Sequence, residues 1–107
     1  GKNIDEELIE ILYNPSQREN SKEAFRGFIN LFDDYLATDL FGKVDAPIQL
    51  IWGEKDPWES LVEAKFWKDN FKNIKRLDVI KGAGHCPHDE NPEETNKLIN
   101  EFIQDTK

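Results

Sequence analysis

Two short apolar runs, each leading straight into a glycine-bearing loop, constrain what this chain can build. Ile48-Gln49-Leu50-Ile51-Trp52 opens after Pro47 and is ended by Gly53. Short, mostly apolar and bounded by Pro and Gly, it reads as a buried strand. A second run at about 76–80, Arg76-Leu77-Asp78-Val79-Ile80, leads into Gly82-Ala83-Gly84-His85. Between them, residues 59–70 suit a helix, with Leu61, Val62, Ala64, Phe66 and Trp67 on its buried side. Beyond the second run, Asn91 is placed to cap a last helix, with Pro92 at its first position and Glu93 and Glu94 near its positive end. Leu98, Ile99, Phe102 and Ile103 form the apolar stripe of that helix. Strand, helix, strand, helix makes two parallel strands joined by a right-handed crossover, so the fold class is α/β.

The rhythm changes near Val44-Asp45-Ala46-Pro47, dividing the chain into a helical segment, 1–43, and the strand–helix segment, 44–107. In the first, Ile4, Leu8, Ile11 and Leu12 fall on one face of a helix that Asn14-Pro15 should stop. Asn20 or Ser21 can cap a second helix, with Glu23 in its first turn and Ala24, Phe25, Phe28, Ile29 and Phe32 as its stripe. Two such aromatic-rich helices fit either ordinary core packing or a lid over an apolar pocket.

Charge narrows the partners. Fourteen Lys and Arg against twenty-two Asp and Glu give a net charge of −8 with no basic stripe. A phosphate backbone would be repelled, so nucleic acid is not an expected partner. No apolar run approaches the ~20 residues that span a bilayer. The lone Cys86 has no internal partner, which points to a reducing, cytoplasmic compartment. Three Trp and seven Phe argue against disorder. Two parallel strands alone leave open edges and uncovered faces, whereas parallel sheets are normally covered on both faces. The expectation is therefore missing neighbours, from the same protein or another chain. Leu50, Trp52, Leu77 and Val79 should then lack part of their cover, and the exposed sheet edge invites self-association.

Both loops that follow a strand carry a titratable residue. Asp56 lies four residues beyond Trp52, and His85 five beyond Ile80. Open α/β sheets bind ligands at the carboxyl ends of their strands, and adjacent parallel strands bring such loops side by side. A carboxylate there can hold one ring nitrogen of a histidine while the other takes a proton. The plainer alternatives are a turn aspartate and an exposed histidine. Trp58, beside Asp56, either lines a substrate pocket or packs on the helix that follows. Cys86 follows His85 directly, and the ring would have to turn back to activate it as a nucleophile. His85, His88 and Asp89 have too common a spacing to mark a metal site, and no metal or cofactor is expected. Asp89-Glu90 reads as a solvated turn.

The segment from Ile48 through Gly53-Glu54-Lys55-Asp56-Pro57-Trp58 resembles the seventh strand and acid loop of α/β-hydrolases, where an apolar strand leads into aromatic-Gly-x-x-Asp. Leu77 through Gly82-Ala83-Gly84-His85 resembles their eighth strand and histidine loop, and the helix near Asn91-Pro92-Glu93 their closing helix. Asp56 and His85 lie 29 residues apart, similar to the spacing in that family. The resemblance covers residues 47–104. It implies a C-terminal βαβα portion of a hydrolase core, with Asp56 as triad acid and His85 as general base. In many members a helical cap precedes these strands, and residues 4–36 look like the end of one. Asp33 and Asp34, possible acids from an earlier strand in some members, read instead as solvated positions on or after a helix. His85-Cys86-Pro87-His88-Asp89-Glu90 with Asp56-Pro57-Trp58 resembles the pheophytinase-like branch, which includes enzymes that cleave the phytyl ester of chlorophyll derivatives. That branch would place the protein in a plastid or cyanobacterial interior.

The family's order is nucleophile, acid, histidine, and the Gly-x-Ser-x-Gly elbow does not occur in this sequence. The nucleophile therefore stays open: Ser would imply ester or lipid hydrolysis, Asp epoxide or halide chemistry. Two functions are compatible with the chain. One is part of a hydrolase acting on a small ester or lipid-like substrate, inactive alone. The other is a non-catalytic binding or interaction module on the same fold.

Overall fold

A computed structural model of the chain describes residues 4–30 and 36–107. Phe32, Asp33 and Asp34 lie outside the described residues. The chain divides into two compact units, Lys2–Leu36 and Ala37–Lys107.

The first unit holds α1 (Glu6–Ser16) and α2 (Ser21–Asn30). Asp5 caps α1 by accepting the Leu8 amide at 2.8 Å, and Glu6 and Glu7 complement the positive end of the helix. Pro15 does not stop α1 where the sequence predicts. It lies inside the last turn, and the chain closes that turn with shorter-range bonds from Gln17 N–H to Asn14 O (3.2 Å) and Arg18 N–H to Pro15 O (3.3 Å). Asn20 precedes α2 at φ +64°, a left-handed conformation that Asn tolerates better than most residues. No residue of either helix is buried; Leu12, Phe25 and Ile11 are among the most exposed. The apolar stripes are real, but among the described residues of this unit they build no core.

The second unit begins with α3 (Ala37–Phe41), followed by β1 (Ile48–Gly53), α4 (Leu61–Asn70), β2 (Ile74–Ile80), α5 (Pro87–Glu90) and α6 (Pro92–Asp105). Although α3 precedes the change of rhythm at residue 44, it packs with the sheet unit. Phe41 lies edge-on to Trp67 (5.4 Å) and Phe71 (5.2 Å), and Asn73 Nδ2 donates to the Phe41 and Val44 carbonyls.

The strands pair in parallel, Leu50 opposite Leu77 and Trp52 opposite Val79, with one irregularity between Ile48 and Gln49. Each sheet face carries a helix. Gln49, Asp78 and Arg76 turn toward α6: Gln49 Nε2 donates to Asp78 (2.8 Å) and the Leu98 carbonyl (3.1 Å), and Arg76 bridges Asp78 and Glu101. The Trp52 ring meets Trp67 of α4 edge-on at 5.7 Å on the other face. Ile74 and Ile80 are fully buried with Ala64 and Ala83. Each isoleucine contributes about 1.5–3 kcal/mol by leaving water.

Cover is incomplete, as the sequence suggests. Leu50, Trp52 and Leu77 are only half-buried and Val79 is exposed. On α4 the predicted buried side is narrower than expected, because Ala64 is buried while Val62 and Phe66 face solvent. Ser60 caps α4 by accepting the Val62 amide. Asn91 occupies the capping position of α6 but makes no side-chain capping bond, and Pro92 stands in the first turn. Among the described residues no helix is long and apolar enough to cross a membrane.

Candidate active site

The parallel register sets the site, because it brings the loops leaving the ends of β1 and β2 against each other. Glu54 N–H donates to Ile80 O (3.0 Å) and Lys55 N–H to Ala83 O (2.8 Å), so the backbone pairing runs on past the strands into both loops. Gly53 is where they touch. A Cβ there would collide with the Gly84 carbonyl and stand 2.7 Å from the Ala83 oxygen, so only glycine fits. Gly82, at φ +77°, makes the turn that begins the second loop.

Three residues beyond Gly53 and three beyond Gly82 stand the groups that carry the chemistry. Asp56 and His85 meet at 2.9 Å, Oδ2 to Nδ1. The other oxygen of Asp56 accepts the amides of Trp58 (2.9 Å) and Glu59 (3.0 Å), which clamps the carboxylate in its own turn. The Asp56 side chain keeps 7% of its surface and that of His85 43%. Burial works to raise the Asp56 carboxyl, but the Glu59 and Trp58 amides and the His85 ring outweigh it and hold the group below the usual carboxylate range. An ionised carboxylate only accepts, so in the neutral ring Nδ1 carries the proton and Nε2 the lone pair. The arrangement can therefore take up a proton at Nε2 and stabilise the imidazolium that results.

Trp58 stands beside the ring, with centroids 4.7 Å apart at 65°. It is 76% exposed, with its ring set edge-on to that of His85. A small cavity of about 140 Å³ opens at the pair, with Ile51, Trp52 and Pro87 on its apolar side. The indole of Trp52 donates to the Glu59 carbonyl (3.1 Å), fixing that wall. Cys86 is exposed. Among the described residues no three His, Cys, Asp or Glu side chains gather to hold a metal ion.

Two residues of the site carried no signal in the sequence. Glu54 Oε2 accepts the Gly82 amide at 2.9 Å. Glu90, half of what reads as a solvated turn, instead accepts the Gly84 amide with both oxygens, each at 3.0 Å. A carboxylate bound to backbone has no side-chain partner whose spacing could betray it.

The sequence is similar to three proteins of the α/β-hydrolase fold. It is 40% identical over 57 residues, 53% of this chain, to chloroplastic pheophytinase of Arabidopsis thaliana. It is 34% identical over 62 residues (58% of the chain) to human epoxide hydrolase 4, and 26% identical over 102 residues (94%) to epoxide hydrolase 3 of Xenopus tropicalis. The matched segments make up 12%, 17% and 27% of those proteins, so the chain spans only a small part of their length. No family model matches the chain, and no solved structure matches it. The chain is thus a mixed α/β structure that resembles part of an α/β-hydrolase.

Proposed function

We propose that this chain, which resembles the C-terminal part of an α/β-hydrolase, supplies the acid and the base of a nucleophile–histidine–acid triad. The observation that carries this reading is the 2.9 Å contact between His85 Nδ1 and Asp56 Oδ2, at the ends of two adjacent parallel strands. Asp56 keeps the ring in the tautomer with Nε2 open. Nε2 removes the proton from the nucleophile, or from the water that resolves a covalent intermediate, and returns it to the leaving group. Asp56 stays ionised throughout and stabilises the charged ring.

The nucleophile comes from the rest of the protein. A serine there gives hydrolysis of a small ester or lipid-like substrate, which the likeness to a pheophytinase supports. An aspartate gives epoxide opening, which the likeness to two epoxide hydrolases supports. Trp58, exposed beside the ring, borders the substrate. The cavity at the pair is too small to enclose such a molecule, since ligand pockets are usually ~300–1,000 Å³. The rest of the binding surface therefore belongs with the nucleophile, and the chain alone is inactive. The compartment that suits this reading is a reducing one, the cytoplasm or a plastid interior.

The test is turnover of p-nitrophenyl esters and of styrene oxide by the complete product of the gene. His85→Ala should lower kcat by about 10⁴-fold or more. A complete product that cleaves neither probe, or cleaves one regardless of His85→Ala, sinks the catalytic reading and leaves a binding module.

A further inference from the structure

Between β2 and His85 the chain passes through two glycines, and a carboxylate lies against the amide of each. Glu54 reaches Gly82 from the acid loop, and Glu90 reaches Gly84 from the last position of α5. The Glu90 bond is the more intimate. A Cβ on Gly84 would stand 2.8 Å from Glu90 Oε1, so the carboxylate is seated directly on the backbone, and a side chain at Gly84 would push its tip aside. Glu90 is half-buried, and a backbone N–H given to an ionised acceptor is among the stronger hydrogen bonds.

The Gly84 amide is one peptide away from His85. Turning that peptide would swing the Cα–Cβ bond of His85 and carry the ring off Asp56. On the other side of the contact, Asp56 is anchored by its own turn and by the Lys55 bond to Ala83. The orientation of the ring thus depends on what holds Gly84.

We infer that Glu90 is a positioning residue: through the Gly84 amide it sets the His85 ring at hydrogen-bonding distance from Asp56, with Glu54 bracing the same loop at Gly82. Its meaning for catalysis rests on the acid–base reading of the pair; the clamp itself does not.

The experiment is nuclear magnetic resonance on the ¹⁵N-labelled chain, with His88→Gln used to assign the His85 ring. The unsubstituted chain should show a Gly84 amide protected from solvent exchange and a single His85 tautomer with its proton on Nδ1. Glu90→Ala should speed exchange at Gly84 about tenfold, the worth of one charge-assisted bond, and should broaden the Nδ1 proton signal as tautomers mix. Strand amides should stay as they were. Glu90→Gln, which keeps one carbonyl acceptor, should restore most of both signals. A freely exchanging Gly84 amide in the unsubstituted chain overturns the inference, as does an unchanged His85 ring in Glu90→Ala. Should Glu90→Ala fail to fold, the unsubstituted chain and Glu90→Gln decide by the same two signals. None of these readouts needs turnover, so they judge the clamp separately from the hydrolase reading, which His85→Ala judges.

Discussion

Asp56 divides its carboxylate between backbone and ring, Oδ1 taking the Trp58 and Glu59 amides and Oδ2 taking His85. Asparagine in its place can keep the amide contacts through its carbonyl. It would then turn an N–H toward Nδ1, which would have to give up its proton. Asp56→Asn should therefore move the ring proton to Nε2, visible in the ¹⁵N shifts of His85. On the proposed catalytic reading, the complete protein should lose about 10⁴-fold in kcat. Because the folded carboxyl sits below its ordinary value of 3.8, its stabilisation is present above that pH and is lost as pH falls through the folded value. Melting temperatures of the chain and of Asp56→Asn should accordingly converge on acidification below about pH 4. A gap that stays constant would contradict that linkage. The meeting of Asp56 and His85 was to be expected because each stands a few residues beyond a run that reads as a strand, and because the two loops resemble the acid and histidine loops of α/β-hydrolases. The contacts of Glu54 and Glu90 were not, because what they bind is backbone.

At the level of elements, both strands and the two long helices of the second unit were legible from period and punctuation. Their edges were less so. β2 starts at Ile74, earlier than the run at 76, because the irregularity at Ile48 lets Ile48 N–H pair with Asn73 O (2.7 Å) before regular register sets in. The polar stretch Lys72-Asn73-Ile74-Lys75 hides this. α5 is a single turn that begins with Pro87, too short to show any period. It is tied to α6 through Thr95, only 4% exposed, whose hydroxyl donates to the Pro87 carbonyl at 3.0 Å. Thr95→Val keeps the shape and removes that bond, and should cost about 1 kcal/mol in urea denaturation. Ala64, fully buried where α4 meets the sheet, leaves no space for growth. Ala64→Leu should cost about 1–3 kcal/mol by overpacking. An unchanged midpoint would mean α4 lies looser on the sheet than described.

For the whole chain, the balance of buried and exposed apolar surface is the governing fact. Among the described residues the fully buried large side chains are Ile74 and Ile80, while Leu12, Phe25, Phe28, Leu36 and Val62 are each more than half exposed. Such surface is a liability in water, and open strand edges add to it. The isolated chain should self-associate, seen as a rising apparent mass in light scattering with concentration. A monomer that persists at about millimolar concentration would argue that the apolar stripes are not sticky in this chain. The sequence announced these stripes through their helical spacing, but spacing says only which side chains share a face and nothing of what meets that face.

The bare contact of Gly53 with Ala83 and Gly84 has a consequence for engineering. Either loop, transplanted by itself onto another scaffold, would present a flat stretch of main chain that only a counterpart without side chains can accept. The two loops form a matched cassette, to be exchanged together or left in place.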